Sequence, residues 1–139
     1  MFRSILLDDF MARELITTRP DVNVMTVVHL LVEHGYSGMP VLDEQGALVG
    51  MISEHDCLRG ILSGTYQGDL GEISVGEVMQ TQVDRIEIGV SVVDAATRMI
   101  ELGRRRLPVV DRDGTLIGQI SRRDLLRAIA AYDLPPVKV

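Results

Sequence analysis

Aromatic residues are scarce in this chain: there is no tryptophan, and only two phenylalanines and three tyrosines are present. The hydrophobic fraction is nevertheless 46%, which is ordinary for a globular protein and too high for a disordered one. We therefore expect a core of valine, isoleucine, leucine and methionine. Met25, Met39, Met51 and Met99 fall on apolar faces and are expected to fill that core, not to hold a cofactor.

Cysteine is represented once, at Cys57, which excludes an internal disulfide and a multi-cysteine metal site. We expect Cys57 to be a small core residue. No apolar run approaches the ~20 residues of a membrane span, and Asp8 and Asp9 lie where a signal peptide would be apolar. The sequence therefore predicts a cytoplasmic protein that does not contact membranes.

Positive charge is in deficit, since the formal net charge is −6. Such a balance argues against a general attraction to nucleic acid. The basic residues are unevenly distributed, however, because half of the fourteen lie in one short stretch of the second half. A local cationic site can therefore exist in an acidic protein. These residues are Arg104, Arg105, Arg106, Arg112, Arg122, Arg123 and Arg127.

Catalytic and metal-binding patterns are missing from the sequence. Ser53, His55 and Asp56 have the composition of a catalytic triad, but their spacing at a helix start cannot aim the imidazole at the hydroxyl while the carboxylate orients it. His29 and His34 are five residues apart, whereas ligands on one helix face are three or four apart. No glycine-rich phosphate or dinucleotide loop occurs. We therefore predict no catalytic residue, no metal ligand and no enzyme.

What the chain does contain is an internal repeat. A shift of 68 residues, the spacing from Asp56 to Asp124, aligns the two halves without a gap. Residues 35–43 then fall on 103–111, and 50–56 fall on 118–124. Glycine, proline and aspartate recur at too many equal offsets for chance, and such self-similarity indicates two copies of one structural unit.

Each copy predicts the order strand, helix, strand, strand, helix. Asn23 and Ser91 can cap helices, and Gly35 and Gly103 can end them. A proline-marked strand, a turn whose glycine takes positive φ, and a return strand follow. In the first and second copies, respectively, we predict leading strands at 15–18 and 83–88, helices at 24–33 and 92–101, strands at 39–42 and 107–110, return strands at 48–53 and 116–121, and helices at 54–62 and 122–131.

The predicted fold class is α/β, of the α+β type. A three-stranded sheet with two helices leaves one face of the sheet bare, so the two copies are expected to pack around one pseudo-twofold core. Residues 63–71 form the glycine-rich stretch between the copies and indicate a linker. The predicted boundaries are a first copy at 1–62, a linker at 63–73, a second copy at 74–134 and a flexible tail at 135–139.

The pattern Gly-x-x-x-x-Pro-Val-h-Asp, a turn glycine and then Gly-x-h-Ser-x-x-Asp occurs twice and resembles the CBS domain, whose tandem pairs are called Bateman modules. The resemblance covers roughly residues 11–130. It implies a regulatory module without a required cofactor. Such a module binds AMP, ADP, ATP, NAD or S-adenosylmethionine in the cleft between the copies and signals to a partner protein. The alternative is a ligand-free module that forms a homodimer through its helices or docks another protein.

The motifs at 50–56 and 118–124 are the candidate ligand sites. The helix start offers free amides and a positive dipole end to a phosphate, and the carboxylate can accept hydrogen bonds from two ribose hydroxyls. Ser-x-x-Asp is equally an N-terminal capping box, and it recurs at 91–94, where we expect only a cap. Both interpretations stay open on the residues alone. The resemblance favours the ligand, because in similar modules this aspartate binds ribose and the serine lies near phosphate.

The resemblance implies two sites shared between the copies, and the one at Asp124 is the more cationic. At the sequence positions that align with arginines of the second copy, the first copy carries Tyr36, Ser37, Gly38, Glu54 and His55. An exposed turn after a helix is the alternative for Arg104, Arg105 and Arg106. The main site comprises Met11, Ala12, Ile16, Tyr36, Ser37, Gly38, Arg105, Arg106, Ile120, Ser121, Arg123 and Asp124. The second site comprises Met39, Ile52, Ser53, His55, Asp56, Met79, Asp84 and Arg104.

Asp84 departs from the family pattern. It matches Ile16 in the first copy, where the adenine pocket of similar modules has a small or apolar residue. A carboxylate there either accepts from the exocyclic amine of adenine or excludes the base.

Overall fold

The computed structural model describes residues 5–67 and 72–133. It confirms the mixed α/β class, and among the described residues no helix is both long and apolar enough to cross a membrane. A short 3-10 turn spans Leu7–Asp9. The helices are α1 (Val24–His34), α2 (Glu54–Gln67), α3 (Val75–Val78), α4 (Val92–Leu102) and α5 (Arg122–Tyr132), and the strands are β1 (Gly38–Leu42), β2 (Leu48–Ser53), β3 (Ile86–Glu87), β4 (Arg106–Val110) and β5 (Leu116–Ser121).

Internal contacts divide the described residues into two units, each with its own apolar core. The first-copy unit contains residues 16–67 and 72–83, and the second-copy unit contains residues 5–15 and 84–133. The N-terminal segment therefore packs with the second copy, although the repeat places it at the start of the first. The predicted tail at 135–139 lies outside the described residues.

The first helix of each copy begins and ends where the caps predict. The side chain of Asn23 accepts a hydrogen bond from the Met25 amide at 2.8 Å, and Ser91 Oγ accepts one from the Asp94 amide at 3.1 Å. Gly35 and Gly103 end the helices with φ of 67° and 66°, a left-handed conformation that favours glycine.

The predicted linker, residues 63–73, begins too early, because α2 continues through residues 63–67. Gly64 lies within the helix and does not end it. Earlier in α2, a Cβ on Gly60 would lie 2.6 Å from Val78 Cγ1, so the missing side chain lets α2 approach α3. Residues 68–71 of the predicted linker lie outside the described residues.

Each copy forms the predicted antiparallel hairpin, β1–β2 or β4–β5. In the second copy β3 adds a parallel strand, with Ile86 opposite Val109. In the first copy the predicted leading strand is reduced to one parallel bridge between Thr18 and Val41. Pro20 follows closely and has no N–H with which to extend the ladder.

A segment crosses the free edge of each hairpin at an equivalent position. Gln80 pairs with Met51 through two backbone hydrogen bonds of 2.9 and 2.8 Å, and Ala12 pairs with Gln119 through two of 2.8 Å. We call these the crossing segments, residues 78–80 and 10–12. Gly118 lies beneath the second of them, where a Cβ would fall 2.7 Å from the Ala12 carbonyl oxygen. Glycine is therefore required at this position by close approach.

We predict that Gly118→Ala lowers the free energy of unfolding by about 1–3 kcal/mol, because the obstructing atom belongs to the backbone and cannot rotate away. Urea denaturation measures the change. Gln82→Ala, at an exposed position, serves as the control and should leave the midpoint unchanged. An unchanged midpoint in Gly118→Ala would contradict the close approach of the crossing segment.

Candidate functional site

The carboxylates of Asp56 and Asp124 both close a capping box at the start of a helix. Asp56 Oδ2 accepts from the backbone amide and the hydroxyl of Ser53, both at 2.9 Å. Asp124 Oδ2 accepts from the backbone amide of Ser121 at 2.9 Å. Each serine Oγ in turn accepts from the amide of its aspartate at 3.1 Å. The capping interpretation is therefore correct, and it uses only part of each carboxylate.

An arginine one turn further along joins each carboxylate to the neighbouring crossing segment. Arg59 donates to Asp56 Oδ1 at 3.2 Å and to the carbonyl of Val78 at 3.3 Å. In the second copy Arg127 donates to Asp124 Oδ1 and to the carbonyl of Phe10. Neither arginine is among the predicted site residues, although Arg127 belongs to the predicted cationic stretch and the shift that aligns the copies superimposes Arg59 on Arg127.

Two contacts distinguish the two carboxylates. Ser53 Oγ donates to Asp56 Oδ2, whereas only the backbone amide of Ser121 donates to Asp124. Gln80 Nε2 donates to Asp56 Oδ1 at 3.0 Å, and the aligned residue in the second-copy unit is Ala12, which has no side-chain donor. The side chain of Asp56 is only 4% exposed, whereas that of Asp124 is 15% exposed. The side chain of Asp124 is therefore partly accessible, whereas that of Asp56 is enclosed.

The hydrogen bonds of Asp56 also determine its charge. Burial by itself raises the pKa of this carboxyl, but hydrogen bonds from Gln80 and Ser53 and the positive charge of Arg59 outweigh burial and hold the pKa below its ordinary value. Because the pKa is lower in the folded chain than in the unfolded one, the carboxylate stabilises the fold at neutral pH. That contribution is lost as the pH falls through the folded pKa, below the ordinary aspartate value of about 3.9.

Arginines surround the start of α5. Arg106 is the register partner of Ser121 in the hairpin, and the amide of Arg122 donates to the Arg105 carbonyl at 2.9 Å. The side chains of Arg105, Arg106 and Arg123 are exposed. The second-copy unit therefore combines a helix N-terminus, an accessible carboxylate and several cations in one place. This combination suits a ligand that carries both hydroxyls and phosphate.

The start of α2 has the same backbone arrangement without the cations. Gly38 is the register partner of Ser53, and the amide of Glu54 donates to the Ser37 carbonyl at 2.8 Å. Glu54 and His55 occupy the positions of Arg122 and Arg123. A negative charge therefore lies where the second copy has positive charge.

Asp84 and Arg104 form an ion pair, with Arg104 Nε 3.1 Å from Asp84 Oδ2. Both residues belong to the second-copy unit, whereas Asp56, with which they were predicted to share a site, belongs to the first-copy unit. Their role at the second site stays a prediction. The ion pair means that the charge of Arg104 is already partly balanced.

Four of the predicted site residues have side chains in the apolar cores, namely Met11, Met39, Ile52 and Ile120. Met39, Ile52 and Ile120 are at most 1% exposed, so they offer almost no surface to a ligand. Ile16 and Tyr36, which were predicted for the main site, belong to the first-copy unit, and the ring of Tyr36 stacks on His34 with centroids 5.6 Å apart. Within residues 5–67 and 72–133, no group of three potential metal-binding side chains occurs.

Comparison with known proteins identifies relatives along most of the chain. CBSX2, a chloroplastic CBS domain-containing protein of Arabidopsis thaliana, is 32% identical over 86% of this chain and 61% of its own. YhcV of Bacillus subtilis is 33% identical over 84% of this chain and 80% of its own. This chain spans just over three fifths of the length of several curated relatives.

Comparison with solved structures also identifies CBS proteins. A crystal structure of CBSX2 in complex with AMP has a TM-score of 0.79 and 32% identity, and the match covers 92% of this chain and 98% of that one. A CBS domain-containing protein of Bacillus anthracis has a TM-score of 0.80 and 26% identity, over 95% and 97% of the two chains. The family model of the CBS domain matches twice, at residues 7–63 and 75–131. The chain therefore belongs to the CBS domain family and carries a tandem pair of these domains.

Proposed function

We propose that this CBS pair is a regulatory module that binds an adenine nucleotide at the start of α5. In this proposal the ribose hydroxyls donate to Asp124, and the phosphates contact Arg105, Arg106 and Arg123. The observation that carries the proposal is the accessible carboxylate of Asp124 beside exposed arginines at a helix N-terminus. The complex of CBSX2 with AMP supports the same class of ligand.

The charge of the site favours phosphorylated ligands among the adenosine compounds. Arginine donates paired hydrogen bonds to phosphate oxygens, and the helix N-terminus adds a positive dipole end. S-adenosylmethionine has no phosphate, and its sulfonium and ammonium groups outnumber its single carboxylate, so its net positive charge is disfavoured beside these arginines. AMP, ADP, ATP and NAD are therefore the preferred candidates. The contacts that the family resemblance assigns to Met11, Ala12, Ile16 and residues 36–38 stay predictions.

Regulation in this proposal is a shift of equilibrium and includes no catalytic step. A nucleotide changes the balance between two arrangements of the chain only by its differential affinity for them. A partner protein then distinguishes the arrangements. The partner and a cytoplasmic location belong to the proposal as well.

A second function, homodimerisation, is favoured by the exposed helix faces. Val32 on α1 is 78% exposed, and the equivalent Ile100 on α4 is 77% exposed. Leu58 on α2 and Leu126 on α5 match in the same way, at 62% and 64%. Single exposed apolar residues are common, but a pattern repeated in both copies indicates a function for the face. In the first-copy unit these residues border a cavity of about 410 Å³ between α1 and α2.

The nucleotide proposal predicts that Asp124→Asn abolishes thermal stabilisation by the ligand. Wild-type protein is melted with AMP, ADP, ATP, NAD and S-adenosylmethionine, and ligand at 100 times its Kd should add about 2.7 kcal/mol, or several degrees in Tm. The asparagine can still accept from the Ser121 amide, so the cap is retained while the charge and one acceptor for ribose are lost.

Glu77→Gln is the matched control, because Glu77 closes a capping box with Ser74 on α3 and has no part in the proposed site. It should leave the ligand-induced shift intact. A site that attracts anions by charge alone would bind more tightly in Asp124→Asn, since a negative charge is removed. An undiminished shift in Asp124→Asn, or no shift of the wild type by any of these compounds, would contradict the proposal.

The dimer proposal predicts that the wild type elutes with the mass of two chains in size-exclusion chromatography with light scattering, and that Val32→Glu combined with Ile100→Glu gives one chain. Each substitution places a charge at an exposed apolar helix position of its own unit, where burial against a second chain would be costly. Thr26→Glu combined with Gln82→Glu adds the same charge at other exposed positions and should remain dimeric. A wild type that is monomeric at every concentration would end this proposal.

A further inference from the structure

We infer that the side chain of Gln80 blocks the Asp56 carboxylate by donating a hydrogen bond to it. This protein therefore binds one adenine nucleotide per chain, at Asp124. The inference rests on the proposed function and adds to it the stoichiometry of the site and the residue that sets it. Gln80 and Ala12 occupy equivalent positions, and the residue at this position determines whether the neighbouring carboxylate can bind a nucleotide.

The two carboxylates differ at the Gln80 amide and at the Ser53 hydroxyl, which both donate to Asp56, in an otherwise shared network. In both copies the aspartate accepts from the serine amide, and an arginine joins it to a carbonyl of the crossing segment. A methionine follows that carbonyl and packs over the strand glycine in each copy. The equivalent members are Ser53 and Ser121, Asp56 and Asp124, Arg59 and Arg127, Val78 and Phe10, and Met79 and Met11, whereas Gln80 is equivalent to Ala12.

Hydrogen-bonding capacity determines which carboxylate can take a ribose. An ionised carboxylate has about four acceptor positions. Asp56 receives four hydrogen bonds, two from Ser53, one from Arg59 and one from Gln80. Asp124 receives two within the described residues, from Ser121 and Arg127. Two acceptor positions therefore remain at Asp124, which is the number that the two hydroxyls of a ribose require.

A ribose at Asp56 would have to displace the Gln80 amide with one hydroxyl and the Ser53 hydroxyl with the other. Each new hydrogen bond would be of the same kind as the one it replaces, so the exchange gains little over the bonds already present. The Asp56 side chain is also almost inaccessible, at 4% exposed. Glu54 adds a negative charge where a phosphate would lie, which is a separate obstacle that the test has to remove.

The test is isothermal titration of the full chain with AMP. Wild-type protein should bind one AMP per chain, and Ala12→Gln, which supplies Asp124 with the same internal donor, should weaken binding about tenfold or more. Ala131→Gln adds a glutamine at another exposed position and should bind like the wild type. An Ala12→Gln variant that binds AMP as tightly as the wild type would overturn the inference.

The reciprocal test removes the Gln80 side chain in a variant that also lacks the negative charge of Glu54. Glu54→Arg alone should still bind one AMP, because Gln80 remains. Glu54→Arg combined with Gln80→Ala should bind two, because the loss of Gln80 frees one acceptor position of Asp56 and rotation of the Ser53 hydroxyl frees the second. Two AMP molecules on the wild type or on Glu54→Arg alone, or one on the double variant, would overturn the role of Gln80 and leave the proposed function standing.

A readout without nucleotide separates the two proposals. Carboxyl ¹³C NMR should show a higher Asp56 pKa in Gln80→Ala than in the wild type, because one of the hydrogen bonds that lower it is lost. An unchanged Asp56 pKa would overturn the inference whatever binds. If neither the wild type nor any variant binds AMP while the pKa rises as expected, the nucleotide proposal fails and the Gln80–Asp56 contact stands.

Discussion

The hydrogen bonds made by one aspartate near the start of a helix are the constraint on which each copy depends. In the first copy Asp56 joins the end of β2, the start of α2 and, through Arg59 and Gln80, the crossing segment. Removing such a group leaves buried donors without partners, at about 1–3 kcal/mol each. The carboxylate therefore fixes both the helix start and the chain that passes beside it.

The two copies use this carboxylate differently although their backbones match. In the first copy every acceptor position is satisfied internally, and the neighbouring helix start carries Glu54. In the second copy Ala12 leaves part of Asp124 accessible, and arginines replace the acidic and neutral residues. In the proposed function, one copy of a duplicated unit retains its carboxylate as a structural element and the other is adapted for a ligand, without a change of fold.

Local signals predicted most of the elements, and long-range contacts account for what was missed. Caps and glycines at Asn23, Gly35 and Gly103 placed the helices within about a residue, because these effects act within one turn. The Gln80–Asp56 bond and the pairing of Ala12 with Gln119 join residues far apart in sequence, so no local pattern indicates them. The motif predicted the candidate carboxylates, whereas their unequal accessibility depends on these contacts.

The most direct measurement is a crystal structure of the full chain grown with saturating AMP. The account predicts one AMP per chain, with both ribose hydroxyls within hydrogen-bonding distance of the Asp124 carboxylate and the phosphate in contact with arginines at the start of α5. An AMP bound at Asp56 instead, or an AMP that leaves the Asp124 carboxylate without a ligand contact, would contradict it.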